Sequence, residues 1–209
     1  MNDGFIAIWL LSMAAILYFT GWERQVADRL PLRTLGAFIG ATCVLHAMSV
    51  TVRGQAEITG SAALAIGLAL VLLVVMRKPG AILFTLFSAL LTGFMWMWMG
   101  YIYSMDPVFV VVHPAWDGPL LAGLFAGLLA DRFRAHFVIA ALSAVVALGQ
   151  AYLGPAAHDG VLFIGSLSWW DGLTIALTAA RLTSAVKAFV KEKALGVLDS
   201  RSGEQGGSS

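Results

Sequence analysis

Apolar residues run along this chain in seven long blocks, 4–20, 34–52, 58–76, 81–103, 108–130, 137–153 and 161–182, with polar residues gathered in the short gaps between them. Each block is about the length that crosses a ~30 Å hydrocarbon core as a helix, roughly 17 to 25 residues. None alternates strictly as a barrel strand would, and only helices or closed barrels satisfy every backbone group in lipid. The pattern predicts an all-α polytopic membrane bundle of about seven transmembrane helices. Asp3 is the only charge before the first block, which therefore lacks the basic leader of a cleaved signal peptide and reads as a helix.

The gaps set an orientation. Arg24, Arg29 and Arg33 lie in the first, Arg77 and Lys78 in the third, and Arg132 and Arg134 in the fifth; Arg181, Lys187, Lys191, Lys193 and Arg201 end the chain. Of the 13 basic residues, Arg53 alone falls on the other side. Because positive loops stay in the cytoplasm, the expectation is an N-terminus outside and a C-terminus inside. One span more or fewer would destroy the alternation.

Composition agrees: 59% of the 209 residues are apolar and 12% charged, against about 25% charged in a soluble domain. The net charge of +1 and the scatter of the basic residues exclude a nucleic-acid partner. Cys43, the sole cysteine, can form no internal disulfide. The expected domains are a transmembrane bundle over 1–186, a cytoplasmic amphipathic helix over 187–198 whose lysines meet anionic headgroups, and a polar, disordered tail over 199–209. Trp96, Trp98, Tyr101 and Tyr103 at one end of the fourth block, with Tyr18 and Trp22 at the end of the first, read as interfacial aromatic belts. Gly36/Gly40 and Gly123/Gly127, at four-residue spacing, allow close helix approach. They are packing devices first and dimerisation surfaces second.

Candidate chemistry centres on a repeated phrase. "WDGPL" at Trp116–Leu120 and "WDGLT" at Trp170–Thr174 each put an aspartate inside an apolar block. Nine or ten residues of helix would carry both carboxylates to one level ~14 Å deep, where a charge costs roughly 2.5 to 3.5 kcal/mol. Both should therefore face the bundle, paired or protonated. Pro114 and Pro119 favour a shallower placement in which Asp117 caps its own helix, with Asp171 able to cap in the same way. Capping and a pathway role are compatible, since broken helices line transporter sites. The repeat is weak support for duplicated parallel units, and its 54-residue spacing does not fit a propeller blade. His46, His113, His158 and Asp159 fall on the same half and could form a metal or proton site. No metalloprotease helix, nucleophile elbow or phosphate loop accompanies them, so no catalytic, cofactor or metal residue is assigned and no cofactor is implied. The candidate functional polar residues are Asp117, Asp171, His113 and His46.

Three stretches, "LYFTGWERQVADRL", "YIYSMDPVFVVVHPAWDGPLLAGLFAG" and "SWWDGLTIALTAARL", resemble the YphA-type membrane proteins of spore-forming Firmicutes, also called SeaA, over most of residues 1–186. The resemblance implies a multi-pass protein of the bacterial cytoplasmic membrane, associated with spore envelope assembly and without an assigned reaction. The expected function is a non-enzymatic structural or assembly role in the envelope; the alternative is a small-molecule or ion transporter or channel using Asp117 and Asp171. A membrane enzyme using the outer histidines ranks third. The expected partners are the lipid bilayer and either other membrane proteins or further copies of the chain.

Overall fold

A computed structural model describes residues 2–52, 56–76, 78–106, 108, 110–150 and 162–205. Among them lie seven helices: α1 (Phe5–Ala27), α2 (Leu32–Leu45), α3 (Gly60–Val75), α4 (Pro79–Met105), α5 (Asp117–Leu129), α6 (Phe133–Ala147) and α7 (Leu167–Gln205). By length and apolar composition α1, α4 and the Leu167–Leu195 part of α7 suffice to cross a membrane; the other four are shorter apolar helices. The all-α membrane bundle read from the apolar blocks is the fold.

One feature is added to it. Strands β1 (Ser49–Val52), β2 (Ala56–Thr59) and β3 (Leu162–Ile164) form a small sheet in the order β1-β2-β3. β1 and β2 pair antiparallel, Val50 opposite Ile58; β2 and β3 pair parallel, Ile58 opposite Ile164. These strands occupy the ends of three apolar blocks, which is why those blocks overran their helices. Thr59 then caps α3, its hydroxyl accepting the Ala62 N–H at 3.3 Å.

The bundle has two distinct ends. At the sheet end lie the start of α1, the sheet, the segment 110–116 and the start of α7. At the opposite, basic end the α1–α2 turn, the α5–α6 turn and the middle of α7 meet through Asp28, Arg181, Asp131 and Lys187. The first and fifth basic gaps thus meet the cations of α7 at one end.

Small residues set the packing. Ala62, Ala65 and Ala69 of α3, Ala140, Ala141 and Ala144 of α6, and Ala176 of α7 share one buried cluster with Phe137, Trp169 and Leu173. Between lipid-solvated helices, cohesion comes from close van der Waals contact, which short side chains permit. α5 makes its largest contact with α7. There Gly123 abuts the Ala176 carbonyl, and a β-carbon on Gly127 would lie 2.5 Å from the Ala180 carbonyl oxygen. The Gly123/Gly127 pair is a packing device within the chain, whereas Gly36 and Gly40 of α2 face open space.

α1 is peripheral, exposing Ile8, Trp9, Ile16 and Phe19. Gly21, at φ 96°, breaks its regular course. Asp28 and Arg29 follow in the left-handed region at φ 50° and 60°, turning the chain toward α2. α7 continues without a break to Gln205, through both the surface helix expected over 187–198 and the start of the tail expected to be disordered.

Candidate functional site

The two WDG phrases meet at one side chain. A β-carbon on Gly118 would lie 2.6 Å from Cδ1 of Trp96, and one on Gly172 would lie 2.6 Å from its Cζ2. The glycine of each copy makes room for the same α4 indole, one at its five-membered ring and the other at its six-membered ring. The repeat is therefore a clasp, one arm from α5 and one from α7. Trp96, expected in an interfacial belt, is half-buried in that clasp.

Each aspartate precedes a glycine that lies against Trp96, and each stands nearer the start of its helix than the nine or ten residues expected. Asp117 is the first residue of α5, because the proline-bearing stretch before it is irregular. Asp171 is the fifth residue of α7, because the preceding residues form β3 and a turn at Gly165.

Neither carboxylate caps its own helix. Asp117, 5% exposed, accepts the Tyr103 hydroxyl at 2.9 Å and the backbone N–H groups of Val111, Val112 and His113 at 2.9 to 3.3 Å. Oδ2 takes three of these donors and Oδ1 two, with Val112 shared. A carboxylate offers about four lone-pair sites, so Asp117 is saturated. It ties the 111–113 backbone and the end of α4 to the start of α5, where the helix dipole also favours its charge. Tyr103, expected in an aromatic belt, is buried as its partner.

Asp171 reaches across the bundle. Its two oxygens accept the N–H groups of Gly4 at 2.8 Å and Ala7 at 2.7 Å, 167 and 164 residues away. The last helix thereby caps the first, satisfying donors that α1 leaves unpaired at its start. α7 caps itself separately through Ser166, whose hydroxyl accepts the Trp169 N–H at 3.3 Å.

The same device recurs at the basic end. Arg181 donates to the carbonyls of Arg24 and Gln25 at the close of α1 and to Asp28 at 2.8 Å. Asp28 accepts the Phe133 N–H at 2.5 Å, the first residue of α6. Lys187 donates to the carbonyls of Gly127, Leu128 and Ala130 at 2.9 to 3.1 Å, closing α5, and pairs with Asp131 at 2.7 Å. His136 is fully buried, with Nε2 3.0 Å from the Ala130 carbonyl. Anions thus sit at helix starts and cations at helix ends, in the sense the helix dipole favours. Sequence reasoning missed Asp28, Arg181, Lys187 and His136 as site residues. Arg181, a cation in the last turns of an apolar block, was the available signal.

The histidines do not converge. His46 Nδ1 lies 3.0 Å from the Ser61 hydroxyl. His113 Nδ1 accepts the Ala115 N–H and its ring lies 5.0 Å from that of Trp116. His158 and Asp159 lie outside the described residues. Among the described residues no three His, Cys, Asp or Glu side chains gather as a metal-binding group. Beside the clasp, an open cavity of about 450 Å³ is lined by Trp96, Gly100, Tyr103, Ser104 and Gln150 among others.

Fold and site together define a polytopic integral membrane helix bundle whose charges close its helix ends. Residues 3–205 match the family described as YphA-like integral membrane protein, and the chain belongs to that family. No curated protein and no solved structure matches it.

Proposed function

We propose that the protein is a non-enzymatic structural or assembly component of a bacterial cell envelope. The saturation of Asp117 carries this reading: a carboxylate with five hydrogen bonds from four donor groups has no acceptor left for a passing ion or substrate. Support also comes from the role of Asp171, Arg181 and Lys187 as links between sequence-distant helices. The assignment to the cytoplasmic membrane, and to the spore envelope in particular, follows from the sequence resemblance to spore-associated proteins.

The alternative, a small transporter or channel, rests on one observation. Among the described residues Asp171 has two hydrogen-bond partners, which leaves it acceptor capacity. Gene deletion in the host, with envelope morphology and sporulation scored, separates the two readings when complemented by Asp117→Asn and Asp171→Asn. For a structural component, rescue follows the amount of folded protein in the membrane. A variant that accumulates normally yet fails to rescue favours transport.

A further inference from the structure

A second cavity, of about 320 Å³, opens at the basic end and is lined by Arg24, Asp28, Arg29, Asp131 and Arg132. Its residues come from the last turns of α1, the α1–α2 turn and the α5–α6 turn, the first two more than a hundred positions from the third. Both carboxylates are already engaged: Asp28 with Arg181 and the Phe133 N–H, Asp131 with Lys187. Among the described residues, Arg29 has a single carboxylate within 4.0 Å, that of Glu23 at 3.9 Å. Among the described residues, Arg24 and Arg132 have no carboxylate within 4.0 Å. Three arginines therefore line a space whose two carboxylates already have cationic or N–H partners, and guanidiniums are suited to planar, multidentate capture of phosphate oxygens.

The surroundings select the kind of phosphate. Trp22, near the end of α1, and Leu32, the first residue of α2, exposed at 54% and 47%, flank the arginine-bearing segment in sequence, and tryptophan near the end of a membrane helix favours headgroup depth. A free anion would use the arginines alone, whereas an amphiphile would use both features. We propose that this cavity binds the phosphate of an anionic phospholipid, with the acyl chains lying against the exposed apolar surface beside it. The site is distinct from the clasp at the other end and adds a specific lipid contact to the envelope role.

The test uses the full-length protein in uncharged detergent, titrated with phosphatidylglycerol or phosphatidylcholine and read by native mass spectrometry. Each arginine near an anionic lipid contributes roughly fivefold to binding. Arg24→Gln/Arg29→Gln/Arg132→Gln should weaken phosphatidylglycerol retention at least tenfold, with phosphatidylcholine retained weakly by wild type and variant alike. Arg33→Gln/Arg134→Gln/Lys193→Gln, removing as much charge outside the cavity, should change it less than threefold. Equal losses in both variants would overturn the site, reducing it to a general basic surface. Displacement of the lipid by inorganic phosphate or glycerol phosphate at equal concentration would overturn the lipid assignment. Should the cavity variant not accumulate in folded form, Arg29→Gln decides alone. That side chain is 70% exposed, so a three- to fivefold loss is expected, and no change would refute the proposal.

Discussion

Asp117→Asn tests whether this carboxylate is an ordinary helix cap or a saturated anchor. As a cap, Asn would serve almost as well as Asp, and the change would be mild. The observed geometry predicts otherwise. Both oxygens accept hydrogen bonds, and an amide keeps one acceptor while turning an NH2 toward donors. Hydrogen bonds to a charged group contribute about 1.5 to 3 kcal/mol each, but they are not additive, and the 111–113 segment is exposed enough for water to replace part of the loss. The estimate is about 2 kcal/mol for Asn and about 3 to 4 kcal/mol for Leu, which also strands the buried Tyr103 hydroxyl. Tyr103→Phe should cost about 1 kcal/mol and couple with Asp117→Asn in a double-mutant cycle. Reversible unfolding in mixed dodecyl maltoside and dodecyl sulfate micelles reads all four. Asp117→Asn within 0.5 kcal/mol of wild type, roughly the neutral range for substitutions away from structural features, would refute the anchor.

Three further outcomes follow from the packing and the charges. Gly123→Ile should destabilise by about 3 kcal/mol or more, since its side chain would enter the α7 backbone at Ala176, whereas Gly36→Ile, with nothing within 4 Å, should stay near neutral in the same unfolding assay. The hydrogen bond from Lys187 lowers the Asp131 pKa below its usual value, against an opposing effect of burial. Its stabilising contribution is therefore complete above the ordinary carboxylate pKa near 4 and lost as pH falls through the lower folded value. Wild type minus Asp131→Asn should show that acid loss and no slope between pH 5 and 7. Reporter fusions after Arg33, Lys78, Arg134 and Lys193 should report cytoplasm, and those after Met48 and Asp106 the outside; a reversed signal at Asp106 would remove the alternation.

Helix content was legible because lipid imposes a single requirement, a long apolar run, which the sequence meets seven times. The ends of those runs were not legible. "SVTV", "AEIT" and "LFI" are apolar enough to extend a helical block, and their pairing brings together strands more than a hundred residues apart. The importance of Asp117 and Asp171 was readable from their setting, since a carboxylate in an apolar block needs donors. Their partners were not, because every donor but the Tyr103 hydroxyl is a backbone N–H group, which any residue but proline carries. Likewise nothing in "FMWMWMGYIY" distinguishes Trp96, clasped by two glycines, from Trp98, which is 59% exposed. Position along the helix face decides, and the apolar surroundings hide that face.

Hydrogen–deuterium exchange on the full-length protein in lipid nanodiscs tests most directly the claim that charges here close the ends of distant helices. In wild type the first turn of α1 should exchange slowly for a helix start, because Gly4 and Ala7 donate to Asp171, and Val111–His113 should be protected through Asp117. Asp171→Ala should raise exchange at least tenfold at the start of α1 and leave 111–113 unchanged; Asp117→Ala should do the reverse. Unchanged exchange at the start of α1 in Asp171→Ala, or the same rise across both segments in either variant, would contradict it.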